Sequence, residues 1–111
     1  MKHIRNPLCG EKYTYVTGES ALGSDNPTNH VFEVHRTYDD KVVSRVNFHS
    51  GNFSVESING LLNEDLVIML IDRLESFQKS KLKCRENENA LQHLNEALFW
   101  LNQRQINKKE K

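Results

Sequence analysis

The sequence predicts an α+β protein: a small antiparallel β-sheet in the N-terminal half packed on a C-terminal antiparallel two-helix hairpin. From Asn63 to Lys108, two stretches repeat apolar residues every three to four positions, the period of a helix with one buried face. Between His30 and His49, two shorter runs alternate instead, the period of a half-buried strand. The polar link between the helical stretches, about Lys79 to Cys84, is short enough to force the helices antiparallel. At 111 residues the chain is expected to form a single domain, with a β-sheet region over about 12–50 and a helical hairpin over about 63–108. A core of that size stabilises only modestly, so oligomerisation helps.

Taken in order, the first dozen residues are polar, include Pro7 and Gly10, and predict little beyond a turn. Tyr13, Thr14, Tyr15, Val16 and Thr17 favour a strand. Gly18 to Asn29 is rich in turn-forming residues and reads as a surface loop. In the next segment Phe32, Val34 and Tyr38 alternate onto one face, and Val42, Val46 and Phe48 do the same after a turn at Asp39 and Asp40. Glu33, His35, Arg45 and Asn47 fall on the opposite face. One side of this hairpin is therefore expected to rest on the helices and the other to meet solvent or a partner. Ser50 to Gly60 reverses the chain.

The first helix is expected to be capped by Asn63, whose side-chain oxygen can accept a backbone N–H of the first turn, with Glu64 and Asp65 at the positive end of the helix dipole. Leu66, Val67, Leu70, Ile71, Leu74 and Phe77 trace its apolar face, which Ile68 and Met69 widen enough to need cover on more than one side. The second helix starts near Arg85 and carries Ala90, Leu91, Leu94, Ala97, Leu98 and Leu101 on one stripe. Phe99 and Trp100 lie off that stripe and suit a contact with a second chain.

Composition narrows the function. Lysine plus arginine equal aspartate plus glutamate at 15 each, so no overall field marks a DNA-binding protein. No apolar run suits a membrane span and no signal peptide is evident. Two cysteines, Cys9 and Cys84, are too few for a disulfide framework and fit a reducing cytoplasm. The five histidines lack zinc-site spacing, and no phosphate-binding glycine loop, nucleophile elbow or partnered cysteine is present. The chain is expected to be no enzyme, with no catalytic residue, metal or cofactor.

Binding groups are more plausible. Phe77 offers a flat face on which a purine can stack, though it also reads as a core aromatic ending the first helix. Asn87 can bond a base edge or simply serve the first turn of the second helix. Arg104 and Lys108 stand one helical turn apart, where two cations can share one diphosphate or form an ordinary solvated helix end.

The strings NEDLxxxLIDRLxSFQ from Asn63 to Gln78, CREN from Cys84 to Asn87 and ALxxLxEALxWLxxR from Ala90 to Arg104 resemble the phage anti-defence proteins that sequester the Thoeris immune signal. The likeness extends upstream through Phe48, Gly51 and the pair Asn59 and Gly60, covering roughly the last two thirds of the chain. The hairpin is also similar to that of phage sponges for cyclic oligonucleotides. The resemblance implies a sponge for a cyclic ADP-ribose isomer, glycocyclic ADP-ribose, held by Phe77, Asn87, Arg104 and Lys108 in a homodimer within the cytoplasm of the infected bacterial host. It further implies cyclic trinucleotides of CBASS immunity as ligands where dimers assemble into a hexameric trimer of dimers. Lys108 stands where the family usually has arginine, which keeps charge but loses bidentate geometry. The family's arginine- and glycine-containing tail is replaced by NKKEK. The alternative is a small dimeric structural or protein-interaction module without a nucleotide ligand.

Overall fold

A computed structural model describes residues 1–8, 10–19, 30–51 and 53–109, the last three by backbone alone. Four strands, β1 (Lys2–Ile4), β2 (Thr14–Gly18), β3 (Val31–Arg36) and β4 (Val42–Asn47), precede two helices, α1 (Asn63–Gln78) and α2 (Arg85–Lys109). The strands form one antiparallel sheet in the order β1-β2-β3-β4. The fold is thus α+β, an antiparallel sheet followed by a helical hairpin. The chain divides into two compact units, Met1–Leu61 and Leu62–Lys111.

In the first unit, cross-strand partners share a face of the sheet. Ile4 pairs with Val16, Val16 with Val34, and Phe32 with Val46, placing these half-buried apolar side chains on one side. Phe48 joins them, its ring edge-on to Phe32 at 5.7 Å between centroids. Val42 does not. The register shifts between Val34 and His35, so Val34 faces Ser44 while His35 faces Val42. This irregularity moves Val42 to the face opposite the one its alternation predicts, because an extra residue reverses side-chain parity.

Two further expectations change at the N-terminal edge. Residues 2–4 form a strand against β2, a piece too short and polar to show alternation, rather than an unstructured turn. Gly18 is not loop but the buried last residue of β2, paired with Lys2 and Phe32. The remainder of the expected loop from residue 20 to 29, and Cys9, lie outside the described residues.

The β3–β4 turn and the return to α1 have identifiable local causes. Asp40 adopts φ 62°, a left-handed geometry that aspartate tolerates better than most residues. Arg36 donates to both carboxylate oxygens of Asp39, at 2.9 and 2.5 Å, and holds that carboxyl below its usual range. Asn59 receives the Ser50 N–H at 2.9 Å and donates to the Ser50 carbonyl at 2.8 Å, closing the loop between them. Gly60 then passes so close to β4 that a Cβ there would lie 2.6 Å from the Asn47 carbonyl oxygen. Only glycine fits, and Phe48 and Leu61 form an isolated parallel bridge beside it.

In the second unit, α1 and α2 pack against each other, and most of the predicted stripe residues are buried or half-buried, whereas Leu70 and Ala97 are exposed. Ile71 is buried at 9 % exposure, with Leu66, Val67, Leu74, Leu91, Leu94, Leu98 and Leu101 half-buried around the seam. Asn63 is not the cap. It is the first helical residue, Leu62 holds the cap position, and the Leu62 N–H donates to Asp65 Oδ2 at 2.9 Å. The carboxylate reaching back from the third helical position satisfies the N–H of the cap residue, and the Leu62 carbonyl accepts the Asp65 N–H at 3.0 Å. No described helix is long and apolar enough to cross a membrane.

Candidate nucleotide-binding hairpin

One side chain bridges the two ends of the link between the helices. Gln78 accepts the Cys84 N–H at 3.1 Å and donates through Nε2 to the Cys84 carbonyl at 3.0 Å and to Glu88 at 3.1 Å. This bracket fixes the end of α1 against the beginning of α2. Phe77 and Asn87 lie on either side of it, in the last turn of one helix and the first turn of the other.

Phe77 is half-buried, and the Arg73 guanidinium lies over its ring at 4.9 Å from the centroid. The arginine is a full helical turn earlier, so the i, i+4 spacing brings the pair together. Arg73 is absent from the residues expected from sequence, although that spacing was there to be read. Asn87 is half-buried and donates Nδ2–H to the Leu82 carbonyl at 3.3 Å, so it braces the link as well as facing outward in part.

Arg104 stands at the other end of the hairpin. Its Nη2 lies 3.9 Å from Glu64 Oε1 in the first turn of α1. The two groups differ in environment: the arginine side chain is 53 % exposed, the glutamate side chain 7 %. Neither Glu64 oxygen has a hydrogen-bond partner among the described residues. Glu64 was expected only as an acid suited to the positive end of the helix dipole, and its burial next to Arg104 involves a contact 40 positions away in sequence. Lys108 belongs to α2, but its side chain lies outside the described residues.

The four expected binding residues therefore fall at two ends of one hairpin. Asn87 and Arg104 are 17 positions apart in a single helix, which at 1.5 Å per residue is roughly 25 Å. Phe77 and Asn87 share the link end, and Arg104 belongs to the end where α1 starts. A single mononucleotide-sized molecule cannot reach across one chain. Among the described residues, no group of three or more histidine, cysteine, aspartate or glutamate side chains is arranged to hold a metal ion.

Residues 39–105 match the family model described as Acb2/Tad1, hairpin domain. That range takes in Phe77, Asn87 and Arg104 and ends before Lys108. Over 69 residues the chain is 44 % identical to Thoeris anti-defense 1 of Bacillus phage SBSphiJ7, a match covering 62 % of this chain and 49 % of that relative. The chain thus matches about half the length of the phage protein. The resemblance carried by the strings around Phe77, Asn87 and Arg104 holds, and with more than half of its residues inside the matched region the chain belongs to the Acb2/Tad1 hairpin-domain family.

Proposed function

We propose that this protein counters Thoeris immunity in the infected bacterial cell by binding a cyclic ADP-ribose isomer, glycocyclic ADP-ribose, and withholding it without transforming it. The observation that carries the proposal is the split of the candidate groups between the two ends of the hairpin, in a family whose phage relative is named for Thoeris anti-defence. In this reading two hairpins pack antiparallel about a two-fold axis, so the link end of one lies beside the α1-start end of its partner. Phe77 and Asn87 of one chain then face Arg104 and Lys108 of the other. The aromatic ring stacks on the base, the asparagine meets its edge, and the basic pair takes the diphosphate. An isologous interface repeats every contact, giving two equivalent pockets per dimer.

The exposed apolar residues of the hairpin supply a surface for such a dimer. Ile68, Met69, Phe99 and Trp100 are 50–69 % exposed, too much apolar area for an isolated helical pair to leave in water without cost. Further association into a trimer of dimers, with cyclic trinucleotides bound between dimers, would use what that first interface leaves uncovered. The same exposure favours a second reading, a dimerising structural module with no nucleotide ligand.

Titration calorimetry with glycocyclic ADP-ribose separates the two. A bound stoichiometry of one ligand per chain, with the nucleotide recovered intact by reversed-phase chromatography after denaturation, is expected for the sponge. Absence of binding leaves the structural module, and release of ADP-ribose over many turnovers makes the protein an enzyme instead.

A further inference from the structure

Glu64 takes no part in the ligand set proposed above, yet it is the most deeply buried charged residue among those described, 5 % exposed as a whole. Carboxylates are rarely buried without partners, because removal from water penalises the charge. Here neither oxygen makes a hydrogen bond among the described residues. Among the described residues the opposite charge at hand is Arg104, and the 3.9 Å separation is too long for a hydrogen bond but short enough for strong attraction beside a low-dielectric interior. That geometry attracts the guanidinium without consuming its N–H donors. The Arg104 side chain, 53 % exposed, keeps its donors available to a ligand.

A second charge bears on the pair. Glu64 is in the first turn of α1, where the helix dipole presents partial positive charge and offsets part of the carboxylate. Arg104 is therefore not fully neutralised and can still bind an anion. A free arginine side chain loses much rotamer freedom when it clasps a diphosphate, and one already tethered loses less.

We propose that Glu64 is a positioning residue for Arg104: it pre-orients the guanidinium toward the phosphates of the bound nucleotide while leaving the hydrogen-bonding fork free. This rests on the nucleotide-binding reading above. A competing sign exists, since a buried carboxylate also repels a diphosphate, so the direction of the effect decides the matter.

The test compares the full-length wild type with Glu64→Gln and Glu64→Asp. In the ligand-free proteins, ¹⁵N relaxation of the Arg104 Nε–H reports side-chain order, which is expected to fall in Glu64→Gln while the backbone amide spectrum is retained. Calorimetry with glycocyclic ADP-ribose is expected to show about tenfold weaker binding by Glu64→Gln, with partial recovery in Glu64→Asp, which keeps the charge. Equal or tighter binding by folded Glu64→Gln overturns the proposal, as does unchanged Arg104 order. If Glu64→Gln does not fold, Glu64→Asp decides: wild-type affinity together with wild-type Arg104 order overturns it, and a fall in both supports it. If the wild type itself binds no cyclic nucleotide, the functional reading fails, whereas wild-type binding with no effect of either substitution refutes the role of Glu64 alone.

Discussion

The two units of this protein satisfy their side chains in opposite ways. On the polar face of the sheet, almost every group finds a partner within the same unit. His3 meets Glu11 at 2.9 Å, Tyr15 stacks on His35 at 4.8 Å between centroids, and the Tyr15 hydroxyl donates to Asp40 at 2.9 Å, an interaction that raises the phenol's titration above its ordinary value. His35 also meets Thr17 Oγ1 at 3.0 Å, while Arg45 bonds Glu33. The hairpin does the reverse. It closes one apolar seam and leaves Phe99 and Trp100 beside each other on the outside, edge to face at 5.2 Å. A face of interlocked polar groups has little left to offer a partner, whereas an open aromatic pair does. The contrast makes the open aromatic pair of the hairpin, rather than the polar face of the sheet, the surface to test for association, although the first unit also leaves Tyr13, Tyr38, Phe53 and Val55 67–96 % exposed elsewhere.

The most severe way to break this contrast is to disable the shared pocket from both sides. Asn87→Ala and Arg104→Ala proteins should each lose nearly all binding of glycocyclic ADP-ribose. Mixing the two should restore one intact site per heterodimer, visible in calorimetry as about half of the wild-type stoichiometry at best. Heterodimers that form yet bind nothing would sink the shared pocket and leave the basic end of α2 with another role.

A substitution on the outer face comes next. Trp100→Glu places a charge where the aromatic pair is expected to meet a second chain, and should shift light-scattering mass from dimer toward monomer by weakening association about a hundredfold or more. Retention of the dimer at low micromolar concentration would place the interface elsewhere.

The sheet should answer to its apolar side instead. Val46 pairs with Phe32 on the half-buried face, so Val46→Asp should lower stability by about 2 kcal/mol in urea unfolding. The neighbouring Val43→Asp, at a position 54 % exposed, should cost far less. Equal effects would mean that the sheet has no protected face.

The smallest effect concerns the β3–β4 turn. Because the Arg36 bond lowers the folded-state value of Asp39 below its unfolded one, its contribution is present above the unfolded pKa of about 3.9 and is lost as pH falls through the folded value. Wild type should therefore lose slightly more stability than Asp39→Asn between about pH 5 and the acid side of that window, measured as the difference in thermal midpoint. An identical pH dependence in the two proteins would remove the ion pair from the account of the turn.

Much of this organisation was legible residue by residue. Apolar spacing identifies both helices and their link, alternation identifies β3 and β4, and the strings around Phe77, Asn87 and Arg104 identify the family. Each of these signals is carried by neighbours in the chain, whose periodicity follows from backbone geometry alone. Tertiary structure decided the rest. The edge strand at Lys2–Ile4 exists because β2 offers it hydrogen bonds, and Val42 changes face because one added residue in β4 reverses every side chain beyond it. Glu64 becomes a buried partner of Arg104 only once α1 and α2 fold back on each other. The sequence by itself determined both helices, the strands β2 to β4 and the family to which they belong; only the folded chain decided the edge strand and which charges meet, because an encounter between positions 64 and 104 is set by helix packing and leaves no periodic trace in the residues between them.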